Sequence, residues 1–365
     1  MLNINLPTRI IKKYSYLLTT FKRNVKSCEI TSLYTAYNIR KELLHSSATR
    51  GQWRVLFFGT DNFALESLRS LYNEYRTKKL LRLEVVSVYK KKTNPIIKYA
   101  EEKKIVVNRW PLENNPQDFH IGIVVSFGHL IPLNIIKSFP FGMINVHASL
   151  LPRWRGAAPI IYSLINGDTE TGITIMKIMP EKFDIGEIIA QERTDIHADE
   201  TLPEVYAKLA KIGADVLVDV VRKLPEISSL RPQERIGITY APKVTSKISL
   251  VKWDEMTAKN VYDLHRGLLE LYPLTTKFGD TVIKLFDVRQ VSKSTDGTNP
   301  EDDDVPGFVR FDKKSNALIV TCKGPSWISV KKVIVSGRPP MNAADFRNGF
   351  MQDKMKKLFF RSNII

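Results

Sequence analysis

The sequence predicts an α/β protein in two parts: a domain built on a mainly parallel sheet, then a linker and a smaller β-barrel. Three observations carry that prediction. Up to about residue 224, apolar strand-like runs alternate with helical patterns, as in βαβ units covered on both faces. Pro225, Ser228, Ser229, Pro232 and Gly237 then interrupt the chain. Short β-like runs crowd the remainder, as in small barrels. A chain of 365 residues is long enough to bury two cores.

The first strand is the run Val55, Leu56, Phe57, Phe58, ended by Gly59; Thr60, Asp61 and Asn62 turn into a helix carrying Phe63, Leu65 and Leu68. Clustered Val85, Val86 and Val88 place a second strand over 83–89, with a helix after Asn94 and Pro95. Strands follow over 121–126 and 143–147, then a helix over 157–165, a strand over 172–178, a shorter one at 188–191 and a long helix over 202–224. After the linker, Val261, Leu264, Leu268 and Leu271 recur at helical spacing, and β-like runs cover 281–288, 307–311, 317–322 and 327–335. The Asp- and Ser-rich stretch 292–304 reads as a loop. The expected division is 1–50 as a basic arm, 51–225 as the first domain, 226–245 as the linker and 246–365 as the barrel.

Composition narrows the function. Hydrophobic residues make up 43%, which suits an ordinary globular protein, and no apolar run reaches the roughly 18 residues of a membrane span. The net charge of +17 favours a polyanionic partner. Residues 1–50 hold nine Lys or Arg against two acids, with many Ser and Thr. That composition suits a mitochondrial presequence, and hence the matrix; the alternative is a basic arm that binds RNA. Cys28 and Cys322 leave no internal disulfide or cysteine metal site once the first is removed, and no histidine has metal-ligand spacing. Neither the Gly-x-Gly-x-x-Gly fingerprint nor a P-loop is present.

Chemistry concentrates in residues 142–159, GMINVHASLLPRWRGAAP. Asn145 and His147 are two apart on a strand, so both side chains leave the same face. The strand ends there, where ligands of open α/β sheets bind. Together they could meet one ligand there, although an Asn and a His taken without their surroundings are more often structural. Arg153 and Arg155 flank Trp154, a set that fits phosphates and unstacked bases; the plainer alternative is a soluble surface with a packed tryptophan.

In this stretch the chain resembles the folate-dependent formyltransferases, and within them those acting on methionyl-tRNA. The likeness rests on Asn145-x-His147, the loop Ser149-Leu150-Leu151-Pro152, the Arg153-Trp154-Arg155-Gly156 continuation and Phe183-Asp184-Ile185-Gly186. Gly59-Thr60-Asp61, Ser126-Phe127-Gly128, Gly172-Ile173-Thr174-Ile175-Met176 and Thr239-Tyr240-Ala241-Pro242-Lys243 extend it over about 53–350. The resemblance implies a Rossmann-like formyltransferase domain, an OB-like barrel, 10-formyltetrahydrofolate as donor, initiator methionyl-tRNA as acceptor, no metal and a monomer. It implies Asp184 as the third catalytic residue beside Asn145 and His147. It places folate against Ser149, Leu150, Leu151, Pro152, Phe127, Gly128 and Leu130. Proton transfer falls to His147 or to a water. Acceptor contacts fall to Arg153, Trp154 and Arg155, with Lys90, Lys91 and Lys92 standing where bacterial relatives carry a longer basic loop. Ala148 departs from a bacterial glycine. The basic end, Lys354, Lys356, Lys357 and Arg361, is a second candidate for phosphate contact. Two other readings stay open: the same fold acting on a small amine, and a non-catalytic RNA-binding relative.

Overall fold

The computed structural model describes residues 53–89, 94–180, 182–224, 230–292, 305–352 and 358–362. The expectations for residues 1–50, for Lys90 to Lys92, for the first part of the linker, for 293–304 of the Asp- and Ser-rich loop and for Lys354, Lys356 and Lys357 lie outside the described residues.

Strand β1 (Trp53–Gly59) is buried at every position but Arg54, because parallel strands pair with it on both sides and helices cover both faces. It leads into helix α1 (Asn62–Arg76), whose first turn is capped where Asp61 Oδ1 accepts from Ala64 N at 3.0 Å. Next come β2 (Leu80–Ser87), α2 (Pro95–Glu102), β3 (Val107–Arg109) and β4 (Ile121–Val125), then a short helix α3 (Leu133–Ile136) and β5 (Met143–His147). Helix α4 (Pro159–Ile165), β6 (Glu170–Lys177), β7 (Ile188–Asp195) and α5 (Leu202–Arg222) complete the sheet domain.

The sheet order is β3-β2-β1-β4-β5-β6-β7. The first five strands are parallel, and β6 and β7 add antiparallel at one side. Successive connections leave β1 in opposite directions, so the crevice between β1 and β4 is the topological switch point. The register aligns the strand ends there: Gly59 faces Val125, and Val125 faces Val146. Asn145 and His147 therefore stand at the carboxyl edge of the sheet, beside that crevice.

Two differences from the sequence reading have local causes. Strand β7 runs on to Asp195, because its outer half, rich in polar residues, is held by the ladder to β6 rather than by burial. Strand β3, only three residues long, carries too little pattern to be read alone.

The second domain opens with a 3-10 turn (Ser246–Ser249) and helix α6 (Ala258–Gly267) and continues through β8 (Leu274–Phe278), β9 (Thr281–Val291), β10 (Val309–Asp312), β11 (Ala317–Cys322), β12 (Ser326–Val335), β13 (Met341–Asn342), α7 (Ala343–Phe350) and β14 (Phe360–Arg361). Its sheet is antiparallel, in the order β10-β11-β12-β9-β8-β14, with β13 on β12. The two ends meet: Val309 N donates to Leu358 O at 2.9 Å and Phe360 N to Gly307 O at 2.8 Å. That closure makes it a barrel and leaves no free edge between those strands. Strand β8 and helix α7 are absent from the sequence reading; α7 is short and its one strong signal is the Asn342 cap, which accepts from Asp345 N.

The domains share a buried seam. Ile161 and Ile165 of α4 pack against the barrel core, and Tyr262 on α6 donates to Asp199 across the boundary at 2.8 Å. Arg266, buried and paired with Asp263 at 2.8 Å, donates to Glu200 O at 2.9 Å. Between the domains, residues 230–245 form a strap laid along the first domain. Arg231 pairs with Ile188 through two backbone bonds, and Arg155 with Thr239 and Ala241.

Candidate active site

Strand β5 delivers Asn145 and His147 to the sheet edge, where Asn145 is paired with Val124 and Met176 and His147 with Thr174. The half-buried Asn145 amide makes no hydrogen bond among the described residues, so its N–H groups are open to a ligand. His147 is only 6% exposed. Its Nε2 lies 2.9 Å from Trp154 O, and because a carbonyl only accepts, that nitrogen carries the hydrogen. The remaining nitrogen, Nδ1, is 3.6 Å from Asp184 Oδ1. Any proton that this imidazole exchanges with a ligand passes through Nδ1, on the side that Asp184 shares.

Asp184 is 9% exposed and lies on the loop between β6 and β7, with φ +55. Its Oδ2 accepts from Gly156 N at 2.8 Å. Gly156 itself has φ +124, and a Cβ there would stand 2.5 Å from Ala241 O. Only glycine lets the loop pass between Asp184 and the strap.

The loop after His147 is fastened to the sheet. Ser149 Oγ donates to Arg153 O at 2.6 Å and Ser149 O accepts from Thr174 Oγ1 at 2.6 Å. Leu151 N donates to Thr174 Oγ1, and Gln191 Nε2 to Leu151 O at 2.9 Å. Ser149 and Leu151 are buried, whereas Leu150 and Pro152 are half-buried. The side chains of Ser149 and Leu151 thus hold the loop, and what it can present to a ligand is mainly Leu150, Pro152 and backbone.

Phe127 is also internal, edge-on to Phe58 and Trp110 at 5.5 and 5.2 Å. It anchors the turn that exposes Gly128 and Leu130. At the switch point, Asp61 accepts from Ser126 Oγ and caps α1, and Thr60 Oγ1 donates to Ser126 O at 2.8 Å. Burial pushes the Asp61 carboxyl above its ordinary value, against the lowering effect of those hydrogen bonds. Burial, and then the Asp61 charge, raise the Tyr206 hydroxyl, which accepts from Phe63 N at 2.7 Å.

The Arg153-Trp154-Arg155 segment departs from expectation. Trp154 is 7% exposed; its Nε1 donates to Asp168 at 2.7 Å, and the Arg153 guanidinium lies 4.3 Å above its ring. Arg153 is tied to the same carboxylate at 2.5 and 2.9 Å, which raises its already high pKa. Arg155 donates to Gln233 at 2.7 and 3.1 Å. The ring therefore does not stand open for a base to stack on, because an indole N–H buried beside a carboxylate is better satisfied inside. Both guanidiniums retain contact with solvent but are committed to internal partners.

The sequence reading missed Thr174, Gln191 and Gln233. Thr174 and Gln191 are polar residues in strands whose partners belong to another loop, a pattern no local signal reveals. Gln233 sits in what reads as a linker. Among the described residues, no cluster of His, Cys, Asp and Glu is placed to hold a metal ion.

Comparison with known proteins places this geometry. Residues 115–221 match the Formyl transferase family and residues 243–351 the Formyl transferase, C-terminal domain family. The chain is 41% identical over 307 residues to the protein of Mus musculus named methionyl-tRNA formyltransferase, mitochondrial, spanning 82% of this chain and 78% of that one. It belongs to the methionyl-tRNA formyltransferase family. The Roseobacter denitrificans member is 33% identical over 81% of this chain and 95% of its own. The solved structure of WlaRD, a sugar 3N-formyl transferase, covers 79% of this chain and 99% of its own with a TM-score of 0.58. At 17% identity that likeness establishes the shared fold.

Proposed function

We propose that this protein transfers the formyl group of 10-formyltetrahydrofolate to the α-amino group of methionyl initiator tRNA. The observation that carries this reading is the meeting of His147 and Asp184, residues 37 positions apart, 3.6 Å from each other beside an Asn145 amide that has no hydrogen-bond partner among the described residues. Membership of the methionyl-tRNA formyltransferase family supports the choice of acceptor.

The neutral amine of the aminoacyl group attacks the formyl carbon, forming the new C–N bond as the carbonyl oxygen takes the electron pair. Asn145 donates to that oxyanion. Collapse of the tetrahedral species breaks the bond to N10 of the folate. The proton released by the attacking nitrogen ends on N10, leaving tetrahydrofolate and the formylated aminoacyl-tRNA. His147 Nδ1, steadied by the Asp184 carboxylate, relays or orders that proton, directly or through a water. No covalent intermediate on the protein is needed.

Exposed Leu130, Phe183 and Ile185, on loops at the sheet edge, suit a flat pterin ring. The excess of positive charge on the chain suits a tRNA, with Arg153 and Arg155 contributing charge but not a stacking platform. The composition of residues 1–50 supports delivery to the mitochondrial matrix, where the protein acts as a monomer; N-terminal sequencing of the organellar protein tests cleavage. The functional test is transfer of labelled formyl from 10-formyltetrahydrofolate to charged initiator tRNA, compared with small amines. Turnover confined to small amines would overturn the acceptor assignment.

A further inference from the structure

The Asp184 loop is held from outside the sheet. Its neighbours give it no apolar anchor, since Phe183 and Ile185 are 60% and 38% exposed. Asp184 nevertheless adopts a left-handed backbone, which L-residues keep only where their surroundings impose it. The surroundings here include Gln233 of the strap. Its Nε2 donates to Asp184 O at 3.0 Å and to Gly186 O at 2.8 Å, while its Oε1 accepts from Arg155 Nε and Nη2. One amide thereby joins the Asp184 loop to the segment whose Trp154 carbonyl holds His147 and whose Gly156 N–H holds Asp184. Two carbonyls need a donor and a guanidinium needs an acceptor, and a carboxamide satisfies both. A carboxylate or an ammonium satisfies only one.

We propose that Gln233 is a positioning residue for formyl transfer: by holding the Asp184 and Gly186 carbonyls against Arg155 it keeps the Asp184 carboxylate beside His147. The catalytic pair is then complete only while the interdomain strap is seated. The proposal rests on the functional reading above, in which Asp184 steadies His147.

The experiment compares full-length wild type with Gln233→Leu and Gln233→Glu, each also built with Asp184→Asn. Gln233→Glu keeps the acceptor for Arg155 and loses the donors, which isolates the bonds to the Asp184 loop. Both substitutions are expected to lower kcat about tenfold or more, with KM for folate and tRNA within about threefold and an unchanged melting temperature. In the Asp184→Asn background the same substitutions are expected to cost less than about twofold, because the residue they act through is already impaired. Losses that simply multiply, a rise in KM alone, or wild-type kcat in Gln233→Glu would overturn the proposal. Backbone hydrogen exchange over 183–186 in the free protein gives a readout independent of turnover. It is expected to accelerate in Gln233→Leu, and unchanged exchange would overturn the clamp. A wild-type chain that formylates nothing would instead refute the functional reading, leaving the exchange result to judge the clamp.

Discussion

The two halves of the proposed catalytic pair are held in different ways. His147 and its neighbour Asn145 ride on β5, a central strand with ladders on both sides and a core beneath it, so their positions follow from the sheet. Asp184 rides on a connection between two antiparallel strands, with exposed apolar neighbours, and is placed by hydrogen bonds from Gly156 and Gln233. The difference teaches that the strand-borne half is protected by global stability, whereas the loop-borne half can open locally without unfolding the domain. A site assembled in this way can be disarmed at the loop while its scaffold stays intact.

Substitutions can break or sharpen that contrast. The largest effect is expected for His147→Ala, which removes the proposed proton-handling group and should lower kcat by about 100- to 10,000-fold in single-turnover assays. Asn145→Ala should cost about 100- to 1,000-fold in kcat with little change in KM, since in the proposed mechanism the amide serves the oxyanion and it has no hydrogen-bond partner among the described residues. If either variant melted well below wild type, the strand-borne half would be structural rather than chemical. Asp168→Ala leaves the Trp154 indole N–H buried without a partner. It should lower unfolding free energy by about 1–3 kcal/mol in denaturant titrations, with the rate falling only as far as the Trp154 carbonyl shifts from His147.

The smallest effect concerns the scaffold away from the site, where Glu74 of α1 is paired with Arg222 of α5 at 2.7 Å. The hydrogen bond from Arg222 holds the Glu74 carboxyl below its ordinary 4.5, against the opposing effect of burial. A carboxyl depressed in the folded state adds stability above its unfolded pKa and loses it as pH falls through the folded value. Glu74→Gln should therefore destabilise by under about 1 kcal/mol at neutral pH. Its difference from wild type should vanish on acidification below the ordinary glutamate range, and chemical denaturation across pH measures it.

The strand-borne half was legible because it obeys local rules. A period of two puts Asn145 and His147 on one face, and the alternation of strands and helices puts that face at the carboxyl edge of a parallel sheet. The main helices of the first domain were legible through their apolar spacing, and the barrel through its crowded short strands. Asp184 was legible only through resemblance, since nothing in Phe183-Asp184-Ile185-Gly186 says which strand end the loop returns to. Trp154 was misread for a related reason. An aromatic residue between two arginines looks like a nucleic-acid contact until Asp168, 14 residues on, is found beneath it.

Taken alone, the sequence determined the α/β class, the closing barrel domain, the excess of positive charge and the strand that bears the amide and the imidazole. These follow from short-range periodicity and composition, which the chain carries at every point along its length. Only the tertiary structure decided that Trp154 turns inward, that His147 spends one nitrogen on a backbone carbonyl, and that a glutamine between the domains grips the loop of Asp184. Those are hydrogen bonds between residues far apart in the chain, and their partners are chosen by the burial that folding imposes rather than by any neighbour in the sequence.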